Sequence, residues 1–193
     1  MSLRFTGHET FVVRTFWPKK GYDFIKKGGT FSAENAVVDL GVGKNMVASI
    51  QFWMKALGLF NDGKKELTEI AHFLFGEHGV DPYLEDIGSV WLLHYHLVRS
   101  NYSSIYNLVF NDLRKERAVF KKQQLVSFIK RKYSENSDNY YNPNTIDKDI
   151  FSNIRNRNKK LLTNKIVIII SHPVHHQEKI SFGIKTKEWS KNI

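Results

Sequence analysis

Apolar residues recur at three- and four-residue steps along the first half of this chain, and that spacing predicts a series of short helices. In "AVVDLGVGKNMVASIQFWMKALGLF" (residues 36–60), Ala36, Val37 and Leu40 share one face of a helix over 33–40, with Ser32 as its N-cap. Gly41 suits the left-handed residue that ends it. Val47, Ile50, Met54 and Leu57 then line the inner face of a second helix from Lys44 to Leu57, and Val42 plugs the angle between the two. Asn45, Ala48, Ser49 and Phe52 fall on the opposite side. Upstream, Pro18 opens a helix that Gly28 and Gly29 stop. Downstream, "NDG" is a turn signal of the kind that makes a small wing, and "LTEIAHFLFG" reads as a further short helix.

In the second half, Asp81 followed by Pro82 predicts the start of a helix through "DPYLEDIGSVWLLHYHLVR". The polar stretch "SNYSSIYNLVFNDLRK" leads into a basic helix, "AVFKKQQLVSFIKRKYSEN". "NTIDKDIFSNIRNRNKK" is also helical in pattern; it could complete a second helix-loop-helix unit bearing Lys148, Arg155 and Arg157. "KIVIIISHPVHHQEKISFGIKTKEW" alternates and is β-branched, which predicts two strands around a loop. The expected fold is mainly α: a winged helix-turn-helix-like N-terminal unit (1–78), a helical, basic unit (79–160), and a small C-terminal β element in a β-prone tail (161–193).

Charge changes this picture more than composition does. Residues 1–100 carry 11 basic and 11 acidic side chains, whereas residues 101–193 carry 18 and 8, the whole of the net +10. A cationic half suits a polyanion, most often nucleic acid; the plainer alternative is a solvated lysine-rich surface. With no cysteine among the 193 residues, disulfides, zinc–thiolate sites and cysteine nucleophiles are excluded. No apolar run reaches about 18 residues and "MSLRFTGHETF" lacks the apolar region of a signal peptide, so a cytoplasmic protein with no membrane partner is expected.

Candidate chemistry falls in four places. On the second helix of the Gly-turn pair, Lys44, Asn45 and Ser49 could meet phosphates and base edges. Arg114, Lys115, Arg117, Lys121, Lys122, Lys130, Arg131 and Lys132 could supply phosphate contacts from the second half. "GHETF" offers His8 as a general base and Glu9 as a metal ligand, with Arg14 or Lys19 to hold a phosphate; the alternative is that it hydrogen-bonds the N-terminal loop onto the first unit. Asp81 and Glu85, four apart on a helix, could share a divalent cation such as Mg²⁺ or Mn²⁺, or could serve only the helix dipole. His94 and His96 point to different faces, which suits a core histidine better than a metal pair, and "HPVHH" (His172, His175, His176) lies in the tail.

The blocks "FTGHETFVVRTFWPKKGYDF", "AVVDLGVGKNMVASIQFWMKALGLF" and "DPYLEDIGSVWLLHYHLV" together resemble an uncharacterised-domain family of bacterial anti-phage defence systems. It is the family of the DNA-nicking component of the Ssp DNA-phosphorothioation system. The resemblance covers about residues 4–155. It implies double-stranded DNA as the substrate and association with a cysteine desulfurase, an ATPase and a sulfur-transferring enzyme. It also implies nicking of one strand, for which "GHETF" is the first place to look. The competing function class is a non-enzymatic winged-helix module that docks a partner protein or represses transcription.

Overall fold

The computed structural model describes residues 3–4, 7–8, 11–100, 102–117, 119–135 and 179–181. Helix α1 (Trp17–Lys26) carries Pro18 in its first turn, where a missing N–H costs no helical bond, and buries Trp17, Tyr22 and Phe24. Helix α2 (Ala36–Leu40) begins three residues later than its pattern predicts: residues 31–35 form turns, and no side chain caps the helix. Gly41 adopts φ 59° and ψ 40°, a left-handed conformation that β-carbons disfavour, and turns the chain into α3 (Lys44–Ala56). Strands β1 (Phe60–Asn61) and β2 (Glu66–Leu67) pair antiparallel as the expected wing. Thr68 then caps α4 (Glu69–Phe75), accepting from the Ala71 N–H while its hydroxyl donates to the Gly58 carbonyl at 2.7 Å. These elements give the winged-helix-like order α1-α2-turn-α3-β1-β2.

Helix α5 spans Ile87–Ser100 and starts five residues after Pro82, the first helical position that the Asp-Pro signal predicts. Helices α6 (Ser104–Asn107) and α7 (Arg114–Glu116) are joined without a break by a π-helical turn, Leu108–Leu113. The "AVFKK" segment is not helical throughout: β3 (Val119–Lys121) precedes α8 (Lys122–Glu135). Its partner is β4 (Lys179–Ser181), with Phe120 opposite Ile180, so the described part of the tail supplies one strand of a small β element. The rest of the predicted tail strands, the helix carrying Lys148, Arg155 and Arg157, and the "HPVHH" cluster lie outside the described residues.

One apolar cluster runs from Val13 to Tyr133, drawing Trp53 and Leu57 of α3, Leu93 and Leu97 of α5, and Leu125 and Ile129 of α8 into a common core. A second, smaller one (Phe24, Ala36, Leu40, Val47) clasps α1, α2 and α3. Residue 4 is stitched to α6: its N–H donates to the Ser104 hydroxyl at 2.8 Å, and the Ser104 N–H returns to the Arg4 carbonyl at 3.0 Å. Helices α1 and α3 meet at Gly21, where an added β-carbon would lie 2.8 Å from the Met54 Cγ and Sδ and 3.2 Å from an Ile50 methyl. Gly21→Ala is therefore expected to destabilise by about 1–3 kcal/mol through overpacking, read as a shift in the urea midpoint. Among the described residues, no helix is long and apolar enough to cross a membrane.

Candidate nucleic-acid interface

The second helix of the Gly-turn pair presents Lys44, Asn45 and Ala48 to solvent, with Gln51 and Lys55 partly exposed behind them. Residues 44, 48, 51 and 55 fall at helical steps, so they form one outward stripe. Ser49 does not belong to it. It is fully buried, and its hydroxyl donates to the His8 carbonyl at 2.7 Å and the Asn45 carbonyl at 2.9 Å. Phe52 is also buried, its ring centroid 5.2 Å from that of Tyr102. The reason is that the N-terminal segment crosses α3 and covers a second side of it, leaving a narrower outer face than periodicity predicts.

That crossing also settles where His8 sits. The residue is 3% exposed, with its ring edge-on to Phe52 (5.5 Å between centroids) and stacked on Trp53 (5.9 Å). An imidazole so enclosed has no open side for a phosphodiester. Arg14 is at the surface, its guanidinium 5.3 Å from the centre of the Trp17 ring, and Glu9 lies outside the described residues. The structure thus places His8 in the packing of α3 rather than at an open cleft.

Asp81 and Glu85 are likewise not on one helical face. Asp81 is buried in the loop before α5, and its two carboxylate oxygens accept from the Glu85 N–H (2.9 Å) and the Asp86 N–H (3.0 Å). Leu84 between them is left-handed (φ 55°), which points Glu85 outward while Asp81 turns in. No group of three or more His, Asp or Glu side chains that could hold a metal ion occurs among the described residues, and both carboxylate oxygens of Asp81 are engaged by backbone N–H groups. His94 is the core histidine: 4% exposed, 4.4 Å from the Phe110 ring, with its Nδ1 unpartnered among the described residues, and pushed down to about 4 by burial. His96, half-buried, is lowered by burial and by Arg99.

The cationic second half is only partly open. Arg114, Lys115 and Arg117 are exposed at the end of the α6–α7 stretch, and Lys121 and Lys122 stand at the β3–α8 junction. Lys130 and Arg131 are exposed on α8. Arg131 is bonded to Glu116, whose carboxyl it holds below its usual range, and Lys132 meets Glu135 at 3.0 Å. Sequence reading missed the wing as a source of charge. "NDGKK" puts Lys64 and Lys65 at its tip, each with a side chain 72% exposed, Lys64 lying 3.5 Å from Glu66 and Lys65 2.7 Å from Asp62; the two lysines after the turn signal were the available clue. A groove of about 650 Å³ between α1 and α2 also carries lysines, but Lys19 is paired with Asp23, and Lys20 donates to the Leu40 carbonyl.

Residues 5–172 match the family described as protein of unknown function (DUF4007). The chain belongs to this family. The fold is similar to that of SspB in two crystal structures. For the magnesium ion-bound form the TM-score is 0.74 at 26% identity, covering 91% of this chain and 58% of that one. For the second SspB structure the TM-score is 0.72 at 25% identity, with the same coverage. This chain therefore spans a little over half the length of the SspB chains it matches. No curated protein matches it.

Proposed function

We propose that this chain is a DNA-binding component of a DNA-phosphorothioation-linked defence system and seats the outer face of α3 on duplex DNA. The observation that carries the reading is the likeness to SspB in both fold and sequence. An exposed Lys44–Asn45 pair at the start of a helix held by a Gly turn supports the mode of contact. Lys44 neutralises a phosphate, while the Asn45 amide offers the donor and acceptor that match an adenine edge. Arg114, Lys115, Arg117, Lys121, Lys122, Lys130, Arg131 and Lys132 extend the electrostatic footprint, those paired with Glu116 and Glu135 contributing least. On this reading the chain works in the cytoplasm beside an ATPase and a sulfur-transferring enzyme.

The test is fluorescence anisotropy with labelled duplex across a salt series. Wild type is expected to bind, with affinity falling steeply as salt rises; Lys44→Ala should lower the slope of log K against log salt by about 0.9. Asn45→Ala should cost about 1–3 kcal/mol on an adenine-containing preferred site and little elsewhere. No binding at 50 mM salt, or binding indifferent to Lys44, would overturn the reading.

A second reading, strand nicking with Mg²⁺ or Mn²⁺, is favoured by the magnesium-bound form of the similar SspB fold. Supercoiled plasmid converted to open circle only with the metal would support it. Duplex binding with no conversion would leave the chain a binding module.

A further inference from the structure

The base of the wing packs through Phe60 and Leu67 on the main core, and its tip is tied to α3 by a carboxylate. Asp62 at the wing tip meets the Lys55 ammonium of α3 at 2.9 Å and the Lys65 ammonium at 2.7 Å. Lys55 is mostly buried, its side chain 13% exposed, so it is a fixed anchor rather than a mobile surface cation. Asn61 completes the turn, its side-chain oxygen accepting from the Gly63 N–H (3.0 Å) and the Lys64 N–H (3.1 Å). Lys65 itself is left-handed at φ 57°, where glycine would be unstrained. A lysine at that position costs stability that a glycine would not, which points to a use for its side chain. Lys55 ends the same outward stripe that Lys44 begins.

We propose that Asp62 is a positioning residue that pins the wing to α3, so that Lys64 and Lys65 form a rail for the phosphate backbone held in register with Lys44. This rests on the duplex-binding reading above and specifies its second point of contact. The prediction opposes simple charge counting. Removing a negative charge from a DNA-binding surface ordinarily strengthens binding. If Asp62 is a pin, Asp62→Asn frees the wing tip and binding weakens, by about fivefold, although the protein has become more positive.

Three variants decide it in the full chain, each measured by duplex anisotropy and by thermal unfolding. Asp62→Asn should bind more weakly than wild type, and amide exchange at Gly63–Lys65 should rise while α1 and α5 exchange as before. Lys65→Gly should be as stable as wild type or more so, with the salt slope reduced by less than about 0.9, because Asp62 already offsets part of its charge. Lys64→Ala, whose ammonium lies 3.5 Å from Glu66, should also lower the slope by less than about 0.9. Tighter binding by Asp62→Asn, or unchanged wing exchange, overturns the pin even if Lys44→Ala still loses affinity, in which case the α3 reading stands. A wild type that fails to bind duplex overturns the rail together with that reading.

Discussion

Trp53→Ala is expected to destabilise the protein by about 3–5 kcal/mol, the range for removing a large aromatic ring from a packed core. Trp53 is 1% exposed at the centre of the main cluster, in ring contact with His8, Phe52 and Tyr106. Its indole N–H donates to the Phe11 carbonyl at 2.9 Å, so the change also strips a buried acceptor of its partner. Against a typical total of about 5–15 kcal/mol, such a loss removes much of the stability of the fold. Trp53→Phe keeps most of the packing, loses the N–H, and should cost nearer 1–2 kcal/mol, about the worth of the hydrogen bond and the smaller ring. Urea midpoints of the two variants give the comparison. A loss below about 1 kcal/mol in the alanine variant would mean that the N-terminal segment is not held by this ring.

Acid is the second large effect, and it acts through His94. Burial against Trp91 and Phe110 pushes this histidine down to about 4. Its folded value lies below the unfolded value near 6.5, so the fold binds its proton less readily than the open chain does. The stabilisation is fully present above pH 6.5 and drains away as the pH falls towards 4, by up to about 3 kcal/mol at roughly 1.36 kcal/mol per unit. Asp62 and Glu116, both lowered by lysine or arginine partners, begin to lose their contributions as the pH falls into the ordinary carboxylate range, at about pH 5 and below. Unfolding midpoints compared at about pH 7.5 and about pH 5.5 therefore read mainly the imidazole. His94→Phe, which keeps a ring between its aromatic neighbours, should flatten most of this dependence and be the more stable protein at the lower pH. His96, lowered in the same direction, leaves a small residual slope. Equal pH dependence in wild type and variant would remove His94 as the cause.

The elements legible in the sequence were those governed by neighbours along the chain. Pro18 opened α1, Gly41 made the turn, and "NDG" made the wing, because a fixed φ, a left-handed residue and a side chain–backbone bond act over a few residues. The elements that misread were governed at a distance. Ser49 sits on the outer side of α3 by period, yet the carbonyl of His8, 41 residues upstream, covers it. Strand β3 exists by pairing with residues 179–181, and although the tail there reads as strand, nothing local in "AVFKK" announces its partner. Asp81 looked like a helix cap because it does receive backbone N–H groups. They belong to Glu85 and Asp86 in a loop that the left-handed Leu84 bends before the helix starts. Of the candidate site, Lys44 on α3 was read as charge, whereas Lys64 and Lys65 on the wing were passed over. The attachment of the two surfaces to one another through Asp62 could not be read, since Lys55 and Asp62 meet only when the wing folds back on α3.

The π-helical turn between α6 and α7 has a consequence for comparing relatives. A π turn spends one more residue per bond than an α turn, so Leu108–Leu113 holds a residue that an ordinary helix would not need. The wider turn absorbs that residue, so excising one residue there would let the helix run on as α with Arg114 and Lys115 aimed much as they are. Excising a residue from an ordinary α stretch such as α5 would instead rotate everything beyond it by about 100° about the axis. In an alignment, a one-residue gap within Leu108–Leu113 would therefore be the mild one, and the same gap in α5 the severe one.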